Sequence, residues 1–135
     1  MLCQGVINCL KSLGLEAEFK PVNDVLVRGR KISGSAQIRR YGAVLQHGTL
    51  LVRTDYERMF AVLKQNKRAR DQMTSLAEEM AEVPPLKKIK QAMATGFTSA
   101  LGATFFTDPL TDAENTLSEE LLKCKYGQDA HTFLY

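Results

Sequence analysis

Residues 20–52 read KPVNDVLVRGRKISGSAQIRRYGAVLQHGTLLV, and this stretch decides the fold. Residues 24–28 are rich in residues that favour strands and lead directly into a glycine. Residues 31–40 resume after the short connection Gly29-Arg30, which is typical of a β-hairpin. We therefore expect two neighbouring antiparallel strands joined by a basic, glycine-containing turn.

The chain around this hairpin predicts one more long strand and then mainly helices. Residues 44–52 are apolar at odd and even positions except at Gln46 and His47, so they predict a strand buried on both faces. Because strands come first and helices follow, the pattern predicts an α+β fold, with a mixed or antiparallel sheet packed by helices. Apolar spacing or capping boxes predict helices at residues 3–13, 54–63, 73–82, 86–101 and 111–122, and short strands at 15–19 and 103–107.

The composition is that of one globular domain. The chain has 135 residues, 44% of them apolar and 24% charged, with a formal net charge of +3. No apolar run approaches the roughly 20 residues that a membrane span needs, and no basic segment followed by an apolar one marks a secretory leader. The three cysteines lack Cys-x-x-Cys spacing, so we expect reduced thiols in a cytoplasmic protein.

Residues that suit an anionic ligand gather in the same stretch. Lys31 follows the hairpin turn, where an ammonium is able to contact phosphate or carboxylate oxygens. Taken singly, the candidates have ordinary structural explanations, such as turn formation by Asn-Asp or a hydrogen-bonded histidine in a strand. Their joint arrangement favours a binding site, and the further candidates are Asn23, Asp24, Gly34, Ser35, Ala36, His47, Gly48 and Thr49.

The order of these motifs resembles the signature of lipoate–protein ligases, which share a superfamily with biotin–protein ligases and octanoyltransferases. The resemblance covers most of the chain and is most specific in residues 23–51. It implies that residues 1–135 form the second half of a lipoate–protein ligase catalytic domain. It also implies ATP, Mg²⁺ and lipoate as ligands: lipoyl-AMP forms first, and a lysine of an acceptor domain then takes the lipoyl group. The motifs are Asn23-Asp24, the segment from Gly29 to Gln37, and the segment from Leu45 to Leu51.

The resemblance also implies residue roles. Lys31 matches the lysine that contacts the acyl carbonyl and the phosphate of the adenylate, where a cation stabilises the charge that develops in both steps. Asn23 and Asp24 match the pair near the phosphate, with Asp24 as a candidate Mg²⁺ ligand. The other matched residues would line the acyl or adenylate pocket, namely Gly34, Ser35, Ala36, His47, Gly48 and Thr49.

Three alternative functions stay open. Biotin–protein ligases usually continue the Gly-Arg-Lys motif with Gly-Ile-Leu, whereas this chain has Gly34-Ser35-Ala36. A biotin–protein ligase is therefore disfavoured. One group of octanoyltransferases keeps a cysteine nucleophile on the strand before the lysine, and residues 15–20 contain no cysteine, so an adenylate mechanism is favoured over a thioester. Nucleic-acid binding through the basic residues at 64–70 and 87–90 ranks last, because no aromatic platform accompanies them.

The resemblance has one large departure. Lipoate–protein ligases carry an Arg-Arg and glycine-rich loop upstream of the helix that opens this sequence. We therefore expect one part of a split or truncated enzyme, or else a non-catalytic binding module or remnant of the family. Half a sheet must be covered, so a partner chain or self-association is expected. The implied acceptor is a lipoyl domain of the 2-oxoacid dehydrogenase or glycine cleavage H protein type, with no nucleic acid and no membrane as partner.

Overall fold

The computed structural model describes residues 2–63 and 68–133, which fall into two compact units, Met1–Phe105 and Phe106–Tyr135. Residues 64–67, part of the basic stretch considered above for nucleic-acid binding, lie outside the described part of the chain. The first unit contains a four-stranded antiparallel sheet in the order β1-β2-β3-β4, which confirms the predicted α+β fold. The strands are β1 (Glu18–Lys20), β2 (Asp24–Val27), β3 (Arg30–Arg40) and β4 (Ala43–Leu50).

Two tight turns set the register of the central strands. Arg28 and Gly29 have φ values of +50° and +74°, and Tyr41 and Gly42 have +53° and +73°. Two successive positive φ angles are the geometry of a type I′ hairpin turn, whose twist matches that of the strands. The first connection is therefore Arg28-Gly29 rather than the predicted Gly29-Arg30, and β3 begins one residue earlier than predicted.

Among the described residues of the first unit, five helices accompany the sheet: α1 (Cys3–Ser12), α2 (Tyr56–Leu63), α3 (Arg68–Asp71), α4 (Leu76–Glu79) and α5 (Leu86–Leu101). Helices α1 and α5 cross closely where Gly5 of α1 faces Gly96 of α5. A Cβ added at Gly96 would lie 2.7 Å from the backbone nitrogen of Cys9, so only glycine fits there. The core beside this crossing contains Leu10, Leu15, Val25, Val27, Ile32, Leu76 and Ile89.

Several further local predictions were wrong. The helix expected at 73–82 is limited to α4, Leu76–Glu79, and Met73 instead forms a bridge with Lys31. Strand β4 is largely exposed instead of buried on both faces, and among the described residues it pairs only with β3 and forms an edge of the sheet. Residues 103–107 form no strand. Helix α2 is capped by Asp55 rather than Thr54, since the Asp55 carboxylate accepts a hydrogen bond from the backbone N–H of Arg58 at 3.0 Å.

The second unit consists of α6 (Asp112–Leu121), a π-helical turn (Leu122–Tyr126) and the short α7 (Asp129–Thr132). The predicted capping box at its start is confirmed: Thr111 accepts from the backbone of Glu114, and the Glu114 carboxylate accepts from the backbone of Thr111. None of the described helices in either unit is long and apolar enough to cross a membrane.

Candidate functional site

A bulge in β3 places Lys31 and Gly34 on the same face of the sheet. Lys31 lies opposite Leu26, whereas Ser33 lies opposite Val25, so Ile32 has no partner in β2. The extra residue shifts the alternation of side chains along β3. Strict alternation from the sequence would have put residues 31 and 34 on opposite faces.

The centre of the candidate site is an ion pair that lies over a glycine. Lys31 Nζ is 2.6 Å from Asp24 Oδ1, and both side chains are partly exposed. A Cβ added at Gly34 would lie 2.8 Å from Lys31 Cε and 3.4 Å from Asp24 Oδ1. The lysine side chain therefore lies flat over Gly34, and its ammonium is held at the surface of the sheet with a charge-assisted contact.

Cross-strand pairing places further candidates on this face, which we call the Lys31 face. Residues directly opposite each other point the same way. Gly34 pairs with Asp24 on one side and Thr49 on the other, and Ala36 pairs with His47. The Lys31 face thus carries Asp24, Lys31, Gly34, Ala36, His47 and Thr49.

Ser35 and Gly48 pair with each other and point the opposite way, toward α1 and α5. A Cβ at Gly48 would lie 2.9 Å from the carbonyl oxygen of Gly34, so Gly48 allows β4 to approach β3 closely. Asn23 is held to the same residue pair: its side chain donates to the carbonyl oxygen of Ser35, and the N–H of Ser35 donates to the carbonyl oxygen of Asn23 at 3.0 Å. Ser35 and Gly48 therefore lie on the face opposite Lys31, and Asn23 is bonded to Ser35.

A cavity of about 540 Å³ opens beside the ion pair. It combines two lysines and a carboxylate with apolar and thioether side chains, and it is lined by Lys20, Asp24, Leu26, Gly29, Lys31, Met59, Leu63, Gln72 and Met73. Lys20 was not among the sequence candidates. It lies opposite Asp24 in the β1–β2 pairing, and only this register brings a second cation to the Lys31 face.

A second cavity, of about 420 Å³, lies between the other face of the sheet and helices α1 and α5. Its lining is mostly apolar, with Val6, Val25, Met93 and Phe97 among the contributors. Asn23, Ser33 and Ser35 supply polar groups, and the edge of β4 from Val44 to Leu50 borders it, so His47 and Thr49 are accessible there as well.

The peptide units on either side of Lys31 are held by a distant segment. The Lys31 N–H donates to the carbonyl oxygen of Gln72 at 2.7 Å, and the Thr74 N–H donates to the carbonyl oxygen of Lys31 at 2.9 Å. Met73 bridges Lys31 in the parallel sense. Sequence reasoning missed this support, because residues 72–74 show no strand pattern of their own.

A polar cluster joins the helices behind this segment. The Arg70 guanidinium lies 3.8 Å from the centre of the Tyr56 ring and pairs with Glu78, while the Tyr56 hydroxyl donates to Glu78 Oε2 at 3.2 Å. Burial raises the pKa of Tyr56 above its ordinary value. Burial would also raise the pKa of Glu78, but hydrogen bonds from Arg70 and Tyr56 outweigh it and hold that pKa below its ordinary value.

This cluster makes stability depend on pH. A carboxyl group whose folded-state pKa is lowered stabilises the fold above its unfolded pKa, about 4.3 for glutamate, and loses that contribution as the pH falls. We expect Glu78→Gln to reduce the free energy of unfolding at pH 7 by up to roughly 1 kcal/mol, with the difference from wild type shrinking toward pH 3. Urea unfolding at both pH values measures it, with the exposed Glu16→Gln as control. A difference that grows at pH 3 would contradict the assignment.

Asp24 is the only residue predicted as a metal ligand. Its Oδ1 pairs with Lys31, and residues 2–63 and 68–133 contain no group of three or more His, Cys, Asp or Glu side chains arranged to hold a metal ion. Mg²⁺ is commonly bound by one or two carboxylates together with substrate phosphates. The donor set therefore does not fit a protein-only metal site, and fits Mg²⁺ only where nucleotide phosphates supply most of the ligands.

Comparison with known proteins places this geometry in context. Residues 1–98 match the sequence profile described as "Lipoyl protein ligase A/B catalytic domain". Octanoyltransferase LipM of Kyrpidia tusciae is 31% identical, with 96% of this chain and 58% of that protein covered. A crystal structure of lipoate-protein ligase A bound with ATP superimposes with a TM-score of 0.84 at 29% identity, covering 96% of this chain and 55% of that one.

A bi-partite lipoate protein ligase of Thermoplasma acidophilum, whose structural study includes its E2 lipoyl domain, superimposes with a TM-score of 0.82 at 27% identity. That match covers 96% of this chain and 54% of the other. The chain thus spans about half the length of the proteins that it resembles.

Proposed function

The chain belongs to the lipoyl protein ligase A/B catalytic domain family, and on that premise we propose that it contributes the lysine-bearing wall of an ATP-dependent lipoate–protein ligase site. In this proposal residues 1–135 are the second half of such a catalytic domain. The observation that carries it is the Lys31–Asp24 pair at 2.6 Å, lying over Gly34 and beside a cavity large enough for phosphate groups.

Lys31 supplies positive charge to both steps. The lipoate carboxylate attacks the α-phosphorus of ATP, pyrophosphate leaves, and the acyl-adenylate forms. The amine of an acceptor lysine then attacks the acyl carbonyl, and AMP leaves as the amide forms. Negative charge grows on the phosphate oxygens in the first step and on the carbonyl oxygen in the second, and an ammonium placed between them stabilises both transition states.

Asp24 orients that ammonium before the substrate arrives. Its carboxylate holds Lys31 Nζ against Gly34, so the side chain does not need to be ordered during the reaction. Asp24 is also the residue that would hold Mg²⁺ together with the phosphates, and the metal would neutralise phosphate charge. Lys20 brings a second cation to the same cavity and suits the triphosphate.

The acyl chain lies along the Lys31 face toward the β3–β4 turn. Gly34 and Ala36 leave room there, while His47 and Thr49 form the neighbouring side. Farther along, Ile38 and Leu45 oppose each other and are 51% and 62% exposed. This apolar pair offers a surface that a partner chain covers. The acceptor in this proposal is a lipoyl domain, and the study of the two-part relative includes an E2 lipoyl domain.

Octanoyl transfer is the second candidate, because several relatives are named octanoyltransferase. On this chain it would require a cysteine that forms a thioester with the octanoyl group. The two cysteines of the first unit do not support it. Cys3 Sγ lies 3.9 Å from Ser35 Oγ on the face opposite Lys31. Cys9 is fully buried, and burial raises the pKa of its thiol, which disfavours the nucleophilic thiolate.

A cysteine-free variant separates the two mechanisms. We expect Cys3→Ser/Cys9→Ala/Cys124→Ser to keep ATP-dependent lipoyl transfer within about threefold of wild type. The assay measures transfer to a lipoyl domain from lipoate with ATP, and in parallel from an octanoyl thioester without ATP. It uses the protein alone and mixed with a candidate partner chain. Loss of transfer in this variant while Cys9→Ala alone is active, or transfer only from the thioester, would favour the second candidate.

A further inference from the structure

Glu79, the last residue of α4, points a buried carboxylate at the hairpin that carries Lys31. Its side chain is fully inaccessible to solvent. Oε1 accepts hydrogen bonds from Arg30 Nη2 and from the Thr74 hydroxyl, both at 2.6 Å. Oε2 lies 3.4 Å from Arg28 Nη1. A buried carboxylate is costly unless it is paired, so this arrangement must be well ordered to persist.

The two arginines sit on either side of the β2–β3 turn. Arg28 has φ of +50°, a left-handed conformation that is uncommon for residues other than glycine. Arg30 begins β3 and directly precedes Lys31. One carboxylate therefore holds both ends of the turn, and the charge of Glu79 is balanced by two guanidinium groups whose backbone leads into the lysine.

The same carboxylate is tied to the segment that holds the backbone of Lys31. Thr74 uses its hydroxyl to bind Glu79 and its N–H to bind the carbonyl oxygen of Lys31. The Lys31 N–H is bound by Gln72 on the same segment. Side-chain and backbone contacts from residues 72–79 thus converge on Arg30 and Lys31.

We propose that Glu79 is a positioning residue for Lys31, acting through Arg30 and Thr74 and never touching the substrate. This inference rests on the proposed role of Lys31. Its physical basis is that catalytic groups must be held by neighbours that are themselves locked, because displacements near 1 Å cost about 100-fold in rate. Asp24 orients the end of the Lys31 side chain, while Glu79 fixes the strand from which it extends.

Glu79→Gln tests this with little change in volume. The amide oxygen still accepts from Arg30 and Thr74, but the charge that holds the two guanidinium groups is gone. We expect kcat for lipoyl transfer to fall about 10-fold to 100-fold, with KM for ATP changed less than about threefold. Hydrogen exchange at the Lys31 and Thr74 amides should become faster than in wild type.

Ile89→Val is the matched control, since Ile89 is a core residue of α5. It should lower thermal stability but leave kcat and the hydrogen-exchange rate of the Lys31 amide as in wild type. The proposal is overturned if Glu79→Gln keeps kcat within about twofold of wild type. It is also overturned if Glu79→Gln and Ile89→Val are equally destabilised and lose the same activity.

If Glu79→Gln fails to fold, Arg30→Gln tests the same contact from the other side, and the same loss of kcat is expected. Arg28→Gln should cost less, because the Arg28 side chain is 76% exposed against 35% for Arg30. Equal losses in the two arginine variants would contradict positioning through Arg30. If Lys31→Ala leaves transfer intact, the proposed function fails, while exchange at the Lys31 amide still decides whether Glu79 holds the strand.

Discussion

Lys31→Ala is expected to lower kcat/KM for lipoyl transfer at least about 1,000-fold, because in the proposed mechanism it removes the charge that stabilises both transition states. Adenylate formation, followed as ATP–pyrophosphate exchange, should fall together with transfer. The fold should survive, since the Lys31 side chain is 38% exposed and its main partner is one carboxylate. Steady-state kinetics with a lipoyl domain as acceptor measure the effect.

Two further variants make that result specific to position 31. Lys90→Ala removes an exposed lysine from α5 and should leave kcat/KM unchanged. Lys31→Arg keeps the charge but replaces a compact ammonium with a planar guanidinium, so it should restore little activity. Transfer that is unaffected in Lys31→Ala would remove this residue from the mechanism.

Gly34→Ala is expected to lower kcat/KM about 100-fold with little loss of stability. The added Cβ would lie 2.8 Å from Lys31 Cε and 2.9 Å from Nζ, so the lysine must leave its place beside Asp24. A flexible side chain moves away at small cost to folding, because the atoms displaced are its far end. The variant therefore tests whether Lys31 must lie beside Asp24, because it moves the lysine without removing it.

Ala43→Val controls for added volume on the same hairpin. Ala43 is exposed at the start of β4 and pairs with Arg40, far along the strands from Lys31. Thermal melts should show similar stability for both variants, and only Gly34→Ala should lose activity. An active Gly34→Ala protein would mean that Lys31 works from another position than the one beside Asp24.

Lys31→Ala and Gly34→Ala both test the Lys31 face. The Lys31 face gathers a charged pair, small residues that leave room, and an apolar pair at its far end, all within β2, β3 and β4. Its supports are separate from it: Gly48 lets β4 approach β3 closely, and residues 72–79 hold the start of β3. Because residues 72–79 hold the strand and do not touch the substrate in this proposal, Glu79→Gln is expected to lower kcat more than it changes KM.

Much of the fold was predictable from local pattern. The hairpin from residue 24 to residue 40, helix α5 with its end at Gly102 and the capping box at Thr111 were all predicted and are confirmed. Membership of the family was predicted from motifs in residues 23–51 and is confirmed as well. Each prediction depended on residues within about one helical turn or one hairpin of each other. The roles of the candidate site residues stay predictions.

What the sequence by itself determined is the set of motifs, the hairpin and the family, since turn residues and apolar spacing act over short separations. The tertiary structure alone decided which candidates share a face: the bulge at Ile32 brings Lys31 over Gly34, and the same pairing turns Ser35 away. It also decided that β4 is an exposed edge and that Glu79 lies beneath the hairpin. The physical reason is that register and burial depend on contacts between residues far apart in the chain, which local periodicity does not encode.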